Sequence, residues 1–131
     1  MQTALICVLI AGLMPYLWTT VAKVTGPRYN NRNVRAWQAK LEGLPQRAHA
    51  AHLNSFEAFP FFAASVLAAV VTNADMQRVA LLSIGFIVAR AAYGLVYLLD
   101  VAALRSLVWF VGLVCVIAIC LTAIRTSPYS I

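Results

Sequence analysis

The chain has 131 residues, of which 63% are hydrophobic and 11% are charged. Soluble domains carry roughly 45–50% apolar and about 25% charged residues, so this composition excludes an ordinary soluble domain. The net charge of +6 would suggest a nucleic-acid partner in a soluble protein. Here we interpret it as a sign of membrane topology, and no nucleic-acid partner is predicted.

Four windows are long and apolar enough to cross a bilayer, which needs roughly 20 residues per helical crossing. They run over about residues 3–24, 47–72, 77–99 and 103–124. Because the windows are continuous rather than alternating, they predict helices and not barrel strands. The first window lacks the basic start of a signal peptide and is longer than its usual apolar region, so we expect it to be retained. The sequence predicts an all-α integral membrane protein, a single domain over residues 1–131 folded as an antiparallel four-helix bundle.

Positive charge is concentrated beside the first and third connections between these windows. By contrast, the opposite side carries only Arg78 and Arg125. The positive-inside rule therefore predicts that the first and third connections are cytoplasmic and that both termini lie on the other side, in the periplasm if the protein resides in a bacterial inner membrane. The cations on the predicted cytoplasmic side are Lys23, Arg28, Arg32, Arg35, Lys40, Arg47 and Arg105.

The first connection, about residues 25–46, is the longest polar stretch. It begins with the turn-forming pair Gly26-Pro27 and then becomes apolar at helical spacing, at Val34, Trp37 and Leu41. Two interpretations are open. The stretch is either a short helix in the headgroup layer with Trp37 as its interfacial anchor, or a solvated basic loop.

The second and third windows each carry one charged residue in their interior, away from their ends: Glu57 and Arg90. A charge in the hydrocarbon costs at least about 2.5–3.5 kcal/mol, so it needs a partner. The turn between the two windows, near residues 74–75, brings Glu57 and Arg90 to matching depth. We therefore predict an ion pair between them, which would fix the register of the helices. Additional polar residues lie near the same level or towards the cytoplasmic end, more than one ion pair requires, and an anionic ligand would use them: Arg47, Asn54, Tyr93, Tyr97 and Arg105.

No metal site is predicted. His49 and His52 have a spacing that could hold a metal, but no third ligand shares their face of the helix. The three cysteines form no metal-binding or redox pattern, and we interpret them as small packing residues.

The polar residues also carry a resemblance. The run from Arg47 to Pro60 reads RAHAAHLNSFEAFP. It resembles the second-helix motif of the MAPEG superfamily (membrane-associated proteins in eicosanoid and glutathione metabolism), Arg-x-x-Arg-Ala-x-x-Asn-x-x-Glu-x-x-Pro. The run from Arg90 to Tyr97 is similar to the third-helix motif of the same family, which an arginine follows. The chain departs from the pattern at Ala50, where the family has its second arginine.

The resemblance implies a bacterial-type member that forms a homotrimer, with glutathione as co-substrate between adjacent subunits near the cytoplasmic side. The positions that would contact glutathione are Arg47, Asn54, Glu57, Arg90, Tyr93 and Tyr97, and Arg105 would stabilise its thiolate. The expected function is that of a glutathione S-transferase or peroxidase, with membrane lipids around it and a lipophilic small molecule as substrate.

Two other functions stay open. The first is a non-catalytic family member that binds an anionic or lipid ligand. The second is a small proton-coupled exporter, although such exporters carry their carboxylate on the first helix and this first window has none.

Overall fold

The structure is a computed structural model that describes residues 1–126. The described chain forms four long helices and one short one. The helices are α1 (Gln2–Thr25), α2 (Val34–Gln38), α3 (Gly43–Val71), α4 (Met76–Leu98) and α5 (Ala102–Arg125). All but α2 are long and apolar enough to cross a membrane, so the predicted four-helix membrane fold is confirmed. Their bounds differ from the predicted ones by one to four residues. Residues 127–131 of the predicted domain lie outside the described residues.

The four long helices form a bundle in which α3 contacts every other long helix. Its most extensive contact is with α1, and α4 packs most extensively against α5. Although α3 and α4 are joined by a tight turn and run antiparallel, they contact each other less than they contact these other partners. Around the bundle the order is α1, α3, α5, α4. Polar side chains of α3, α4 and α5 can therefore meet on one side of the molecule.

The centre of the bundle is built from two aromatic rings surrounded by small and branched residues. The rings of Phe62 and Phe86 stack with their centroids 4.0 Å apart. Both side chains are buried, as are Val66, Val79 and Ile119 beside them. Four alanines of the long helices belong to the same cluster, and such small residues let membrane helices approach closely. These alanines are Ala4, Ala11, Ala69 and Ala123.

One glycine permits an unusually close helix contact. The indole ring of buried Trp18 on α1 lies directly against Gly94 on α4, so that a Cβ at this position would overlap the ring. The α1–α4 contact therefore depends on the absence of a side chain at residue 94.

Both tight turns use the same helix-ending motif. Asn73 after α3 and Asp100 after α4 have φ values of 53° and 62°, in the left-handed region. The next amide donates back across the end of the helix, from Ala74 to the Ala69 carbonyl at 2.9 Å and from Val101 to Val96 at 3.3 Å. This is the Schellman arrangement, which asparagine and aspartate tolerate better than most residues.

The first connection contains the short helix α2 rather than a loop without regular structure. Asn33 caps it by accepting a hydrogen bond from the Ala36 amide at 3.3 Å. Trp37 is not the expected headgroup anchor. Its side chain is buried against α1 and α3, and its indole N–H donates to the Pro27 carbonyl at 3.0 Å. The tryptophan thus ties the connection to the bundle because the chain folds back over the helix ends.

Candidate functional site

Asn54 of α3 bridges an arginine and a glutamate. A guanidinium N–H of Arg90 donates to its Oδ1 at 2.7 Å, and its own Nδ2 donates to Glu57 Oε2 at 3.2 Å. Arg90 is only 4% exposed, so nearly all of this cation has been taken out of solvent and lipid. Its bond to the amide oxygen is therefore a charge-assisted contact in a buried site.

The predicted ion pair between Glu57 and Arg90 is wrong in its geometry. Within residues 1–126, the ion pair closer than 4 Å joins Arg47 and Asp100 instead, and the Glu57 side chain is exposed. The prediction rested on the matching depth of the two residues in the membrane. Whether they meet also depends on the direction in which each side chain leaves its helix. Three residues along an α-helix fall about 60° short of a full turn. Asn54 faces Arg90, and the carboxylate three residues later is turned towards the surface of the bundle.

Two tyrosines extend this contact along α4 towards the end of the bundle where α4 ends. The Arg90 guanidinium carbon lies 4.4 Å from the centroid of the Tyr93 ring. Tyr93 meets Tyr97 edge to face at 5.5 Å. The guanidinium carbon of Arg105, on the first turn of α5, lies 4.4 Å from the Tyr97 ring centroid. Such cation–π contacts hold each arginine over an aromatic face. We call this continuous row of side chains the polar ladder: Glu57, Asn54, Arg90, Tyr93, Tyr97 and Arg105.

The polar ladder borders two concavities on one side of the bundle. The first encloses about 260 Å³ between α3, α4 and α5, with Asn54, Glu57 and Arg90 at its polar part and aromatic and aliphatic side chains around the rest. The second encloses about 360 Å³ and is lined by Tyr93, Arg105, Ser106, Trp109 and Phe110. Trp109 lines both. The arrangement therefore joins charged groups to apolar space within the membrane-spanning part of the protein.

Arg47 is the one predicted site residue that does not join the polar ladder. Its Nε–H donates to the Leu98 carbonyl at 3.2 Å, and its Nη1 lies 3.7 Å from Asp100 Oδ2. Asp100 is 67% exposed in its side chain, so the ion pair is a surface contact of modest strength. Arg47 holds the start of α3 against the end of α4 in this arrangement.

Three aromatic residues of the first concavity were not predicted as site residues: Trp109, Phe61 and Phe86. A signal for Trp109 exists, because it follows Arg105 by four residues and so lies on the same face of α5. Phe61 likewise follows Glu57 by four residues. Phe86 precedes Arg90 by the same spacing. In an apolar membrane helix such residues resemble ordinary packing residues, and only their spacing from the charged positions distinguishes them.

His49 and His52 lie away from the polar ladder, towards α1. Their rings stack at 5.8 Å, and Nδ1 of His52 lies 2.8 Å from the Pro15 carbonyl. In the part of the chain that the structure describes, no three His, Cys, Asp or Glu side chains gather as they would around a metal ion.

Comparison with known proteins gives a single kind of match. Neither the curated proteins nor the solved structures contain a match to this chain. The model of the MAPEG family matches residues 3–125, a range that includes every residue of the polar ladder. The chain therefore belongs to the MAPEG family.

Proposed function

We propose that the protein is a membrane-bound glutathione S-transferase or peroxidase that acts on lipophilic electrophiles. The observation that carries this proposal is the polar ladder, which connects one carboxylate and two guanidiniums across α3, α4 and α5 beside apolar concavities. Packing a bundle of apolar helices does not require so many polar groups in one row. Membership of the MAPEG family, which includes glutathione transferases and peroxidases as well as non-catalytic proteins, supports the same function.

The groups of glutathione complement the side chains of the polar ladder. Glutathione carries two carboxylates, an amine and a thiol. The exposed Glu57 carboxylate suits the amine, and arginine and tyrosine donors suit the carboxylates. Arg105 stands at the opposite end of the ladder from Glu57, where a guanidinium lowers the pKa of a nearby thiol and favours the nucleophilic thiolate.

The reaction follows from that thiolate. In the transferase reaction its sulfur forms a bond to an electrophilic carbon, and the bond from this carbon to the leaving group breaks with the electron pair on the leaving group. In the peroxidase reaction the sulfur bonds to the terminal peroxide oxygen and the O–O bond breaks, which gives a glutathione sulfenic acid and an alkoxide. The released alkoxide takes a proton from water, and a second glutathione converts the sulfenic acid to the disulfide and water. The acceptor would reach the site through the lipid-facing concavities.

The assembly that we propose is a homotrimer with the site between adjacent subunits. Glu57 is exposed on the single chain although it lies within a membrane-spanning helix. A carboxylate facing hydrocarbon would cost about 2.5–3.5 kcal/mol, which a neighbouring copy or a bound ligand would relieve. We place the protein in a bacterial inner membrane with both termini periplasmic, because the positive charge lies at the other end of the bundle.

A non-catalytic family member that binds an anionic or lipid ligand is the second candidate, and two observations favour it. Ala50 stands where the family motif has an arginine, and Arg47 is already bonded to Asp100 and Leu98. Loss of one charged contact costs about 1.5–3 kcal/mol, or tenfold or more in affinity. Such a protein would bind its anionic or lipid ligand without catalysing a reaction.

Glutathione titration of the purified protein in nanodiscs tests both candidates. Calorimetry measures binding, ultraviolet absorbance measures thiolate formation, and a chloronitrobenzene acceptor measures conjugation. We expect all three signals, with Glu57→Gln weakening binding about tenfold. Glu42→Gln is the matched control, since Glu42 is also exposed but lies outside the polar ladder. Glutathione binding without thiolate formation or conjugation would favour the second candidate, and absence of glutathione binding would contradict the enzyme.

A further inference from the structure

The segment between α1 and α3 carries a group of cations that the polar ladder does not use. Arg28, Arg32, Arg35 and Lys40 are all exposed. Over residues 1–126, the ion pair found within 4 Å is that of Arg47 with Asp100, so these four cations have no carboxylate that close. Four positive charges with no carboxylate within 4 Å among the described residues therefore lie within a stretch of thirteen residues.

The backbone that carries these cations is ordered by its own contacts. The Arg32 amide donates to Asn30 Oδ1 at 3.0 Å, and the Trp37 indole N–H donates to the Pro27 carbonyl. Lys23 Nζ lies 4.2 Å from the centroid of the Tyr29 ring, whose edge-to-face contact with Trp37 has a centroid separation of 5.0 Å. The segment is thus attached to the end of α1 and, through Trp37, to the core. Its arginines project from a defined scaffold.

Two of the arginines share a concavity of about 430 Å³, which is lined by Arg28, Tyr29, Asn30, Asn31 and Arg32. The planar forks of arginine match the oxygens of a phosphate group. Topology alone requires only that positive charge lie on one side of the membrane, and it does not require two guanidiniums to line one concavity.

The position of the concavity relative to the membrane indicates which phosphate-bearing molecule would bind there. Arg28 follows the last residue of α1 by three residues, and α3 begins at Gly43, so the segment lies where two spans leave the hydrocarbon. Lipid headgroups occupy that level. We propose that the concavity formed by Arg28 and Arg32 binds the phosphate of an anionic phospholipid headgroup. This site is separate from the polar ladder and independent of glutathione chemistry.

The proposal predicts selectivity for phosphatidylglycerol over phosphatidylcholine. The protein is reconstituted with an equimolar mixture of the dioleoyl lipids, and native mass spectrometry counts the lipids that stay bound. A specific site holds the phosphate through charge-assisted hydrogen bonds from the two guanidiniums. The double variant Arg28→Gln/Arg32→Gln removes these bonds and should lower the preference about tenfold or more. Arg28→Lys/Arg32→Lys should restore part of it.

The matched control is Arg35→Gln/Lys40→Gln, which removes the same charge from the same segment outside the concavity. We expect it to retain most of the preference. An equal loss in both double variants would overturn the proposal, since it would show a diffuse attraction and no site. Inorganic phosphate that abolishes the preference at millimolar concentration would also overturn it, in favour of a site for soluble anions. Thermal stability and glutathione binding, measured in each variant, should equal those of the wild type. Loss of glutathione binding with unchanged lipid preference would reassign the two arginines to glutathione.

Discussion

Replacing Asn54 by alanine removes the acceptor of the most buried guanidinium in the polar ladder. Arg90 is 4% exposed, and its bond to Asn54 measures 2.7 Å. Hydrogen bonds to charged groups contribute about 1.5–3 kcal/mol, so Asn54→Ala should lower the free energy of unfolding by that amount. Glu57→Ala should cost less than about 1 kcal/mol, because Glu57 is exposed and bonds to the amide rather than to the guanidinium.

Double-mutant cycles separate the two contacts. Unfolding of the protein in detergent, followed by circular dichroism, gives the free energy for each single and double variant with Arg90→Met. The coupling of Asn54 to Arg90 should be about 1.5–3 kcal/mol, and that of Glu57 to Arg90 about 0.5 kcal/mol or less. The double variant Asn54→Leu/Arg90→Met should be more stable than Asn54→Leu alone, because it leaves no buried guanidinium without an acceptor. A larger coupling for Glu57 than for Asn54 would refute the bridging geometry and restore the direct ion pair.

Four further predictions address catalysis, packing, assembly and topology. Arg105→Ala should reduce conjugation about 10²-fold with a smaller change in glutathione binding, whereas Arg78→Ala at the other end should leave the rate unchanged; an intact rate in Arg105→Ala would remove Arg105 from catalysis. Gly94→Ala should lower stability by about 1–3 kcal/mol through overlap with Trp18, while Gly112→Ala, whose Cβ would meet its nearest neighbour, the Arg90 side chain, at 3.7 Å, should change thermal stability little. Native mass spectrometry in mild detergent should give a trimer, and a monomer would argue against a site between subunits. A fluorescent reporter that matures only in the cytoplasm should stay dark when fused to the C-terminus, and a bright fusion would invert the topology.

The four spans could be predicted because a bilayer imposes a minimum apolar length on each crossing. The short turn between α3 and α4 also sets the relative depth of residues on the two helices, and Arg47 meets Asp100 at matching depth. Rotation about the helix axis is less constrained. Polar residues on one stripe can point to a neighbouring helix or to the surface, and the choice between Asn54 and Glu57 depends on where α4 and α5 pack. The sequence pattern contains no direct measure of that packing.

The first connection illustrates a second limit of prediction from the sequence. Turn residues and helical spacing predicted α2 as one of two interpretations, but the direction of Trp37 depends on whether the segment folds back over α1 and α3. A tryptophan at a membrane boundary suits either a lipid-facing or a buried position, since its ring is apolar and its N–H needs an acceptor. The Pro27 carbonyl provides that acceptor inside the fold. A contact between residues ten positions apart in an irregular segment has no periodic signal.

Because the three tryptophans are buried to different extents, the intrinsic fluorescence of the protein can report on its concavities. Trp18 and Trp37 are 3% and 7% exposed, one against α4 and the other packed from the first connection onto α1 and α3, whereas Trp109 is 43% exposed and lines both concavities. A quencher attached to lipid chains should therefore reduce the fluorescence of Trp109 most. A ligand bound in either concavity should protect Trp109 from this quenching. The emission of the two shielded indoles would remain as an internal reference. Ligand entry could thus be followed in an unlabelled protein, in the bilayer and in real time.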